Sequence, residues 1–428
     1  MHFDPSATFG ELPAFFSRTI QSCGWNVWKR RFLILENSSA KNPLLGQFFG
    51  QRYPLEFEIS ALHRHYLATG RYPELHNSLQ YSAYSFLAMF ARVHQRLSPS
   101  GKKRLSGMLR SCLDTNSQYG LRPLQHEITV AAHLMRRGFD VQFTDIENQE
   151  RFDFLAAKND IEIEIECKTF GGDIGRPIHL RAFYALGIAL FDELANLPHT
   201  HPGGHLVKIT VFDRLHVRQE FLGRIKSAVS FAIRDNNKSF TSSDCGVEFA
   251  EFDAIGTFGI VDANKGISAS DVKDLVEKRF RAINKNILVI LSPPNGMTIL
   301  VVESHQSDDV VPSMYRALRE AARQCSGGRA AVLCARLTDI TEEQLRSLAK
   351  RNELDKPTGL DVIAGRLFRH EEKSYVHSVA FMTDGALQKG KFFEGDRLID
   401  SLKQDGPAWV LTNKRSKVAD DRQYQIFV

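Results

Sequence analysis

A short alternating stretch, IEIEIECKTF at residues 161–170, constrains the fold of this chain more than any other feature. Isoleucine alternates with glutamate from Ile161 to Ile165, which is the period-two pattern of a β-strand with one apolar and one polar face. Glu166 and Lys168 follow on the polar face, because residues two apart on a strand project to the same side. The sequence therefore predicts a half-buried strand that carries an acid and a lysine side by side.

Length and composition narrow the class of protein. A chain of 428 residues exceeds one compact core at about 100 to 200 residues per domain, so we expect two or three domains. The net charge of +5 permits an acidic partner such as nucleic acid without requiring one. The six cysteines form no C-x-x-C pair, which argues against a disulfide framework or a zinc ribbon. With no signal peptide and no long apolar run, the sequence predicts a cytoplasmic protein with no membrane association.

The order of elements predicts three regions along the chain. Residues 1–118 show apolar spacings of three and four and are predicted to be a helical N-terminal domain. Within and just beyond it, the basic segment 92–122 carries seven Arg and Lys residues against the single acid Asp114, a pattern that is most often a solvated helical face. Residues 119–240 are predicted to form helix, three strands, helix and strand. Residues 241–428 are predicted to be a C-terminal α/β extension or domain, with YQIFV as the final strand.

Three acids are predicted to meet around Lys168. Asp153 stands between two phenylalanines of the preceding strand, where an antiparallel neighbour would bring it beside Glu166. Glu127 lies on the apolar stripe of its helix, and a carboxylate there is costly to bury unless it is paired or binds a cation. Oxygens from Asp153, Glu166 and Glu127 are hard ligands suited to Mg²⁺ or Mn²⁺.

This arrangement resembles the restriction-endonuclease-like nuclease superfamily with its PD-(D/E)xK motif, over roughly residues 123–213. The resemblance implies a three-layer α/β core around a mixed sheet, in which Asp153 and Glu166 hold the metal and Glu127 supports it from the first helix. It also implies that Lys168 orients and helps to deprotonate the attacking water, or stabilises charge on the phosphate. A phenylalanine stands where the motif's name has proline, and the following helix carries no distinctive polar signature.

Basic residues on both sides of this core are candidate contacts to the phosphates of a nucleic acid. One group follows the glycine-rich loop GGDIGRP, which permits close approach of a backbone, and the other belongs to the basic segment. The candidates are Arg176, His179, Arg181, Lys102, Lys103 and Arg104. Ordinary polar residues at a helix start or on a solvated face are the alternative explanation for each of them.

The competing interpretation of the acidic strand is a ladder of cross-strand ion pairs, in which Lys168 pairs with one carboxylate and Arg151 with another. It accounts for Glu162 and Glu164, which we assign to it. It accounts neither for the isolated Asp153 nor for Glu127, so the nuclease interpretation is favoured.

Two further motifs are weaker. Residues 385–392, GALQKGKF, nearly match a phosphate-binding loop, but Phe392 offers no hydroxyl for a magnesium ion, so a basic turn is predicted. His199, His201 and His205 cluster in LPHTHPGGHL and could bind zinc. No acid or cysteine completes that set, and a surface loop is predicted instead.

The function predicted from the sequence is a Mg²⁺-dependent or Mn²⁺-dependent DNA endonuclease in bacterial defence or DNA processing, which is analogy at the level of the fold. One alternative is a nucleic-acid-binding or assembly module without catalysis. Another is a nuclease subunit that is active only with a partner protein of a defence system. Cutting both strands of a duplex would favour a homodimer.

Overall fold

The computed structural model describes residues 7–73, 78–114, 117, 119–200, 203–234, 238–259, 267–282, 285–292, 296–340, 345, 349, 357–383, 393–394, 397–398 and 408–427. Within these residues the fold is α/β, and the chain divides into two compact units. The first unit comprises Met1–Ala40, Phe49–Gly172 and Val311–Val428, and the second comprises Lys41–Phe48 and Asp173–Val310. Most of the second unit is therefore an insertion in the chain of the first.

The described helices are α1 Leu12–Cys23, α2 Trp25–Lys41, α3 Pro43–Arg52, α4 Pro54–Thr69, α5 Ser78–Arg96, α6 Pro99–Cys112, α7 Arg122–Arg136, α8 Leu180–Ala189, α9 Phe191–Thr200, α10 Gln219–Arg234, α11 Ala254–Phe258, α12 Ala269–Phe280, α13 Val310–Gln324 and α14 Gly359–Phe368. The described strands are β1 Ala7–Thr8, β2 Asp140–Gln142, β3 Phe154–Lys158, β4 Ile161–Phe170, β5 Gly203–Val211, β6 Ser239–Thr241, β7 Cys245–Phe252, β8 Asn286–Ser292, β9 Gly296–Ser304, β10 Ala330–Leu337, β11 Val376–Thr383, β12 Phe393–Glu394, β13 Arg397–Leu398 and β14 Ala408–Thr412. Of the helices that the structure describes, none has the length and apolar character needed to cross a bilayer.

A six-stranded mixed sheet, in the order β14-β11-β10-β4-β3-β2, forms the centre of the first unit. β2, β3 and β4 form an antiparallel meander, β4, β10 and β11 run parallel, and β14 is antiparallel to β11. β4 spans the alternating stretch, so the period-two prediction is confirmed. The half-exposed character is wrong, because Glu164 and Glu166 are buried together with the isoleucines. β4 pairs in parallel with β10, and parallel strands are usually covered on both faces.

The N-terminal helices share one hydrophobic core with this sheet. α5 packs against α1, α4 and α7, and α7 packs on β4. The core runs from Phe15 of α1 and Phe90 of α5 through Leu134 of α7 to Ile165 of β4. The expected boundary at residue 118 therefore does not separate two units. A short three-stranded sheet, β1-β13-β12, also belongs to the first unit.

The second unit is built on a five-stranded sheet in the order β6-β7-β5-β9-β8. β5 runs parallel to β9 and antiparallel to β7. The expectation that β5 completes the sheet of β2, β3 and β4 is wrong, because the strand that pairs with β4 in parallel is β10. Both β5 and β10 are buried apolar strands, so local pattern alone does not decide which of them joins β4.

Three smaller predictions concerned the histidine cluster, the GALQKGKF segment and the strand YQIFV. His205 is buried in β5 and stacks on Phe249 at a ring-centroid distance of 5.6 Å, so its assignment to a surface loop is wrong. His201 and the GALQKGKF segment lie outside the described residues. The predicted strand YQIFV is wrong as well, because none of residues 424–427 belongs to a strand.

The C-terminal residues pack on α7 instead of extending a sheet. Ile426 and Phe427 are buried in the core of the first unit. His133 Nε2 lies 2.9 Å from the carbonyl oxygen of Ile426, and its ring stacks on Phe427 at a centroid distance of 5.1 Å. Packing on α7 buries these apolar side chains without a strand.

The burial of His133 predicts sensitivity to acid. Burial lowers the pKa of His133 to about 4 from 6.5, so the unfolded chain binds the proton more readily than the folded protein. Stability present above pH 6.5 is therefore lost as the pH falls toward 4. Between pH 7.5 and pH 5, we expect the wild type to lose about 2 kcal/mol more of its free energy of unfolding than His133→Gln. Urea unfolding at both pH values measures this, and equal losses would contradict it.

Candidate active site

The register of β3 and β4 places Asp153 opposite Glu166. Phe154 pairs with Ile165, so the next step along the two strands brings Asp153, immediately before β3, to face Glu166. Asp153 Oδ2 accepts a 2.6 Å hydrogen bond from the backbone N–H of Cys167. The antiparallel neighbour expected from the sequence is β4, and it brings two carboxylates together.

Lys168 connects this pair to a helix that is distant in sequence. Its Nζ lies 2.6 Å from Glu166 Oε1 and donates a hydrogen bond to Gln324 Oε1 at 2.9 Å. The Glu166 side chain is only 2% exposed, while that of Lys168 is 32% exposed. The ammonium therefore reaches the buried carboxylate from the side that faces solvent.

Gln324 is a polar residue that the sequence analysis missed. It is the last residue of α13. Almost the whole second unit lies between β4 and α13 in the chain, yet the Gln324 side chain reaches Lys168 of β4. The first helix after β4 in the chain is α8, but it belongs to the second unit. The only available signal was that α13 and β10 reproduce the expected helix–strand order further along the chain.

Glu127 lies on α7, which packs on β4, and its side chain is half-buried. Burial raises the pKa of Glu127 well above its usual range, and the charges of Asp153, Glu166 and Asp145 raise it further. The three acids expected from the sequence are therefore close enough to interact electrostatically.

Burial also raises the pKa of the other two acids, to about 6 for Asp153 and about 8 for Glu166. The charge of Asp153 adds to the effect at Glu166. Burial alone would lower the pKa of Lys168, but the charges of Glu166 and Asp153 raise it above its usual value. At neutral pH the lysine is therefore charged, while the carboxylates hold their protons more tightly than carboxylates in water.

The carboxylate oxygens of this site are the kind of ligand that a hard cation prefers. Glu166 Oε2 is buried and has no hydrogen-bond partner in the described structure. An unpaired buried carboxylate oxygen is costly unless a cation or a proton satisfies it. Among the described residues, however, no group of three or more His, Cys, Asp or Glu side chains could hold a metal ion.

Two carboxylates remain as direct ligand candidates, Asp153 and Glu166. Mg²⁺ commonly uses one or two carboxylates and keeps several waters, so this pair fits such an ion. Glu127 would then act through its electrostatic interaction with the pair. The three-carboxylate ligand set stays a prediction.

The basic segment serves several structural roles in the first unit. Arg104 forms a 3.1 Å ion pair with Asp145 and donates a hydrogen bond to Asn148 at 2.7 Å. Arg122 is buried and pairs with Asp339 at 3.0 Å. Lys102 and Lys103 line a pocket on α6. Of the three candidate phosphate contacts in this segment, Arg104 therefore already contacts an acidic and a polar side chain.

The other three basic candidates belong to the second unit. Arg176 Nε lies 3.8 Å from Asp308, and His179 Nδ1 lies 3.5 Å from Asp173. Arg181 is exposed on α8. Their contact with a nucleic acid stays a prediction.

Glu162 and Glu164 form ion pairs, as the ladder interpretation expects, but with an arginine other than the predicted Arg151. Their partner is Arg329, whose Nε lies 2.6 Å from Glu162 and whose Nη1 lies 3.4 Å from Glu164. Glu164 also accepts hydrogen bonds from the backbone N–H, at 2.8 Å, and the hydroxyl of Ser326. These two acids therefore fix the turn between α13 and β10 and have partners separate from those of Glu166.

Comparison with known proteins adds no further support for either interpretation. No protein-family model, no curated protein and no solved structure matches the chain. The geometry and electrostatics of the carboxylates and the lysine are therefore the observations that bear on function.

The raised pKa values predict that cation binding is coupled to proton release. A divalent cation competes with protons for Asp153, with a pKa of about 6, and Glu166, with a pKa of about 8. Affinity for Mn²⁺ or Mg²⁺ should therefore rise with pH up to about 8, by about tenfold per pH unit for each proton released. Titration calorimetry in buffers of different ionisation enthalpy measures both quantities.

The matched variants are Glu166→Gln, which should weaken cation binding, and Glu162→Gln on the same strand, which should not. Equal affinities for the two variants would contradict the assignment of Glu166 as a ligand.

Proposed function

We propose that the protein is a metal-dependent nuclease that hydrolyses phosphodiester bonds, with DNA as its substrate. The observation that carries the proposal is the opposition of Asp153 and Glu166 across two strands, with Lys168 Nζ 2.6 Å from Glu166. Phosphodiester hydrolysis needs positive charge at the phosphate oxygens and an activated water. The carboxylate pair and the lysine are side chains that can supply or hold those charges.

Each residue then has a distinct task. Asp153 and Glu166 would hold the cation, and when bound it would supply Lewis-acid charge and lower the pKa of a water molecule. Lys168 has a raised pKa and stays protonated at neutral pH, which favours charge stabilisation on the phosphate over removal of a proton from water. Gln324 holds the ammonium by its 2.9 Å hydrogen bond and is a positioning residue.

A second candidate is a nucleic-acid-binding module without catalysis. The observation that favours it is that no group of three metal-ligating side chains occurs among the described residues. The unpaired buried oxygen of Glu166 argues against it, because a binding module gains nothing from that cost. A role in defence or DNA processing, a dependence on a partner protein and a homodimeric state stay predictions.

The nuclease proposal predicts metal-dependent cleavage. Purified protein is incubated with plasmid, single-stranded DNA and RNA in Mg²⁺, Mn²⁺ or chelator, beside folded Lys168→Ala protein and the Glu162→Gln control. We expect DNA cleavage that requires the cation and falls by about 100-fold or more in Lys168→Ala, because a charge at the transition state is lost. Glu162→Gln should cleave at the wild-type rate. Metal-independent binding without cleavage would favour the binding module instead.

Gln324 gives a finer test of the same geometry. Removing a hydrogen-bond partner that positions a catalytic group commonly costs about 10- to 100-fold in activity. We expect Gln324→Ala to lower kcat by about tenfold with little change in KM, because the lysine keeps its charge but loses its position. Arg323→Ala is the control, since Arg323 pairs with Glu320 on the helix surface. An equal loss in both variants would point to damage to α13 as a whole.

A further inference from the structure

A basic pocket on the first unit is not used by the proposed catalytic residues. Its volume is about 480 Å³, and α1, α5 and α6 contribute its lining. The lining includes Lys102, Lys103 and Arg110 together with His94 and Ser106, and none of the described side chains around it is acidic. A concave surface of this charge suits an anionic group.

The cations of the pocket differ from Arg104 in being free of acidic partners. Neither Lys102 nor Lys103 forms an ion pair within the described structure. Burial lowers the pKa of His94, and the charge of Lys102 lowers it further, so the Lys102 ammonium is near the His94 ring. Arg110 Nη2 donates a 3.3 Å hydrogen bond to the carbonyl oxygen of Cys23, which leaves its remaining donors for a ligand.

α6 is fixed to the loop that leads into the candidate active site. Ser98 caps the helix by accepting a 3.1 Å hydrogen bond from Gly101 N, and Glu147 accepts one from Ser98 N at 2.9 Å. Arg104 pairs with Asp145 further along the same loop. Asp145 is close enough to raise the pKa of Asp153. The pocket therefore belongs to an element that is held in place beside the loop preceding Asp153.

An exposed aromatic residue lies close in the chain to Cys23, whose carbonyl oxygen is bonded by Arg110 of the pocket. Trp25 is 39% exposed and lies at the start of α2, with its ring 4.6 Å from that of His63. It follows Cys23, the residue bonded by Arg110, by two positions, so about 7 Å of chain at most separates their Cα atoms. Basic grooves beside exposed aromatic rings are typical of proteins that bind single strands, where phosphates contact cations and unstacked bases stack on the rings.

We propose that this pocket binds a backbone phosphate of a single-stranded nucleic acid and that Trp25 stacks on an adjacent base. The proposal rests on the nuclease function for its biological use, since it assigns that enzyme a single-stranded substrate region. The binding itself needs no catalysis. A duplex keeps its bases stacked inside and offers none to Trp25.

The test is binding measured in chelator, where cleavage does not occur, so a failure of catalysis leaves the result unaffected. The probes are oligothymidylate with and without a 5′-phosphate, a duplex of equal length and inorganic phosphate, followed by tryptophan fluorescence and anisotropy. The chain has three tryptophans, of which Trp28 is buried and Trp409 is 37% exposed. Trp409→Phe is therefore the matched control for Trp25→Phe.

We expect the single strand to quench the fluorescence of the wild type and of Trp409→Phe but not that of Trp25→Phe. Trp25→Ala should bind about fivefold or more weakly, because stacking contributes about 1 to 3 kcal/mol per base. Lys103→Gln should reduce the slope of log affinity against log salt by about 1, while Lys278→Gln on an exposed face of α12 should not change it.

Four results would overturn the proposal. Equal affinity for the duplex would remove the single-strand assignment. Binding of only the 5′-phosphorylated oligonucleotide would show that the pocket binds a terminal phosphate instead of a backbone phosphate. Equal competition by inorganic phosphate would show that it binds a free phosphate. Quenching that survives in Trp25→Phe would exclude stacking at this ring.

Discussion

The pairing of β4 with β3 on one edge and with β10 on the other determines most of what this protein can do. The antiparallel edge sets Asp153 against Glu166, and the parallel edge sets Arg329 against Glu162. Acids two residues apart on one strand thereby acquire different environments. Glu162 and Glu164 pair with Arg329, and Glu164 also accepts hydrogen bonds from Ser326, whereas Glu166 keeps a buried oxygen with no hydrogen-bond partner in the described structure.

That difference separates an acid with a structural role from one available for chemistry. Burying several carboxylates together opposes stability, because each raises the pKa of its neighbours and favours their neutral forms. A protein shaped by stability alone would gain from apolar residues at Asp153 and Glu127. The single lysine offsets only part of the repulsion. We propose that a cation bound during function offsets the rest of this repulsion.

Some of this was accessible from sequence because it depends on short-range geometry. Strand β4 follows from alternation, and the approach of Asp153 follows from an acid isolated between phenylalanines. The strand that pairs with the other edge of β4 could not be predicted from the sequence, because β5 and β10 are both buried, largely apolar strands. Gln324 was missed for the same reason. Lys102, Lys103 and Arg104 looked equivalent in sequence, and only the ion pair of Arg104 with Asp145 distinguished it from the two lysines.

The sequence by itself therefore determined the strand, the chemical types of the candidate residues and the helical character of the N-terminal region. These properties depend on side-chain periodicity of two or about 3.6 residues, which adjacent residues encode. The tertiary structure decided which strands share a sheet, which helix holds the lysine and that Glu166 Oε2 has no hydrogen-bond partner among the described residues. Those outcomes depend on contacts between residues more than a hundred positions apart, such as Lys168 with Gln324, and local patterns carry no information about them.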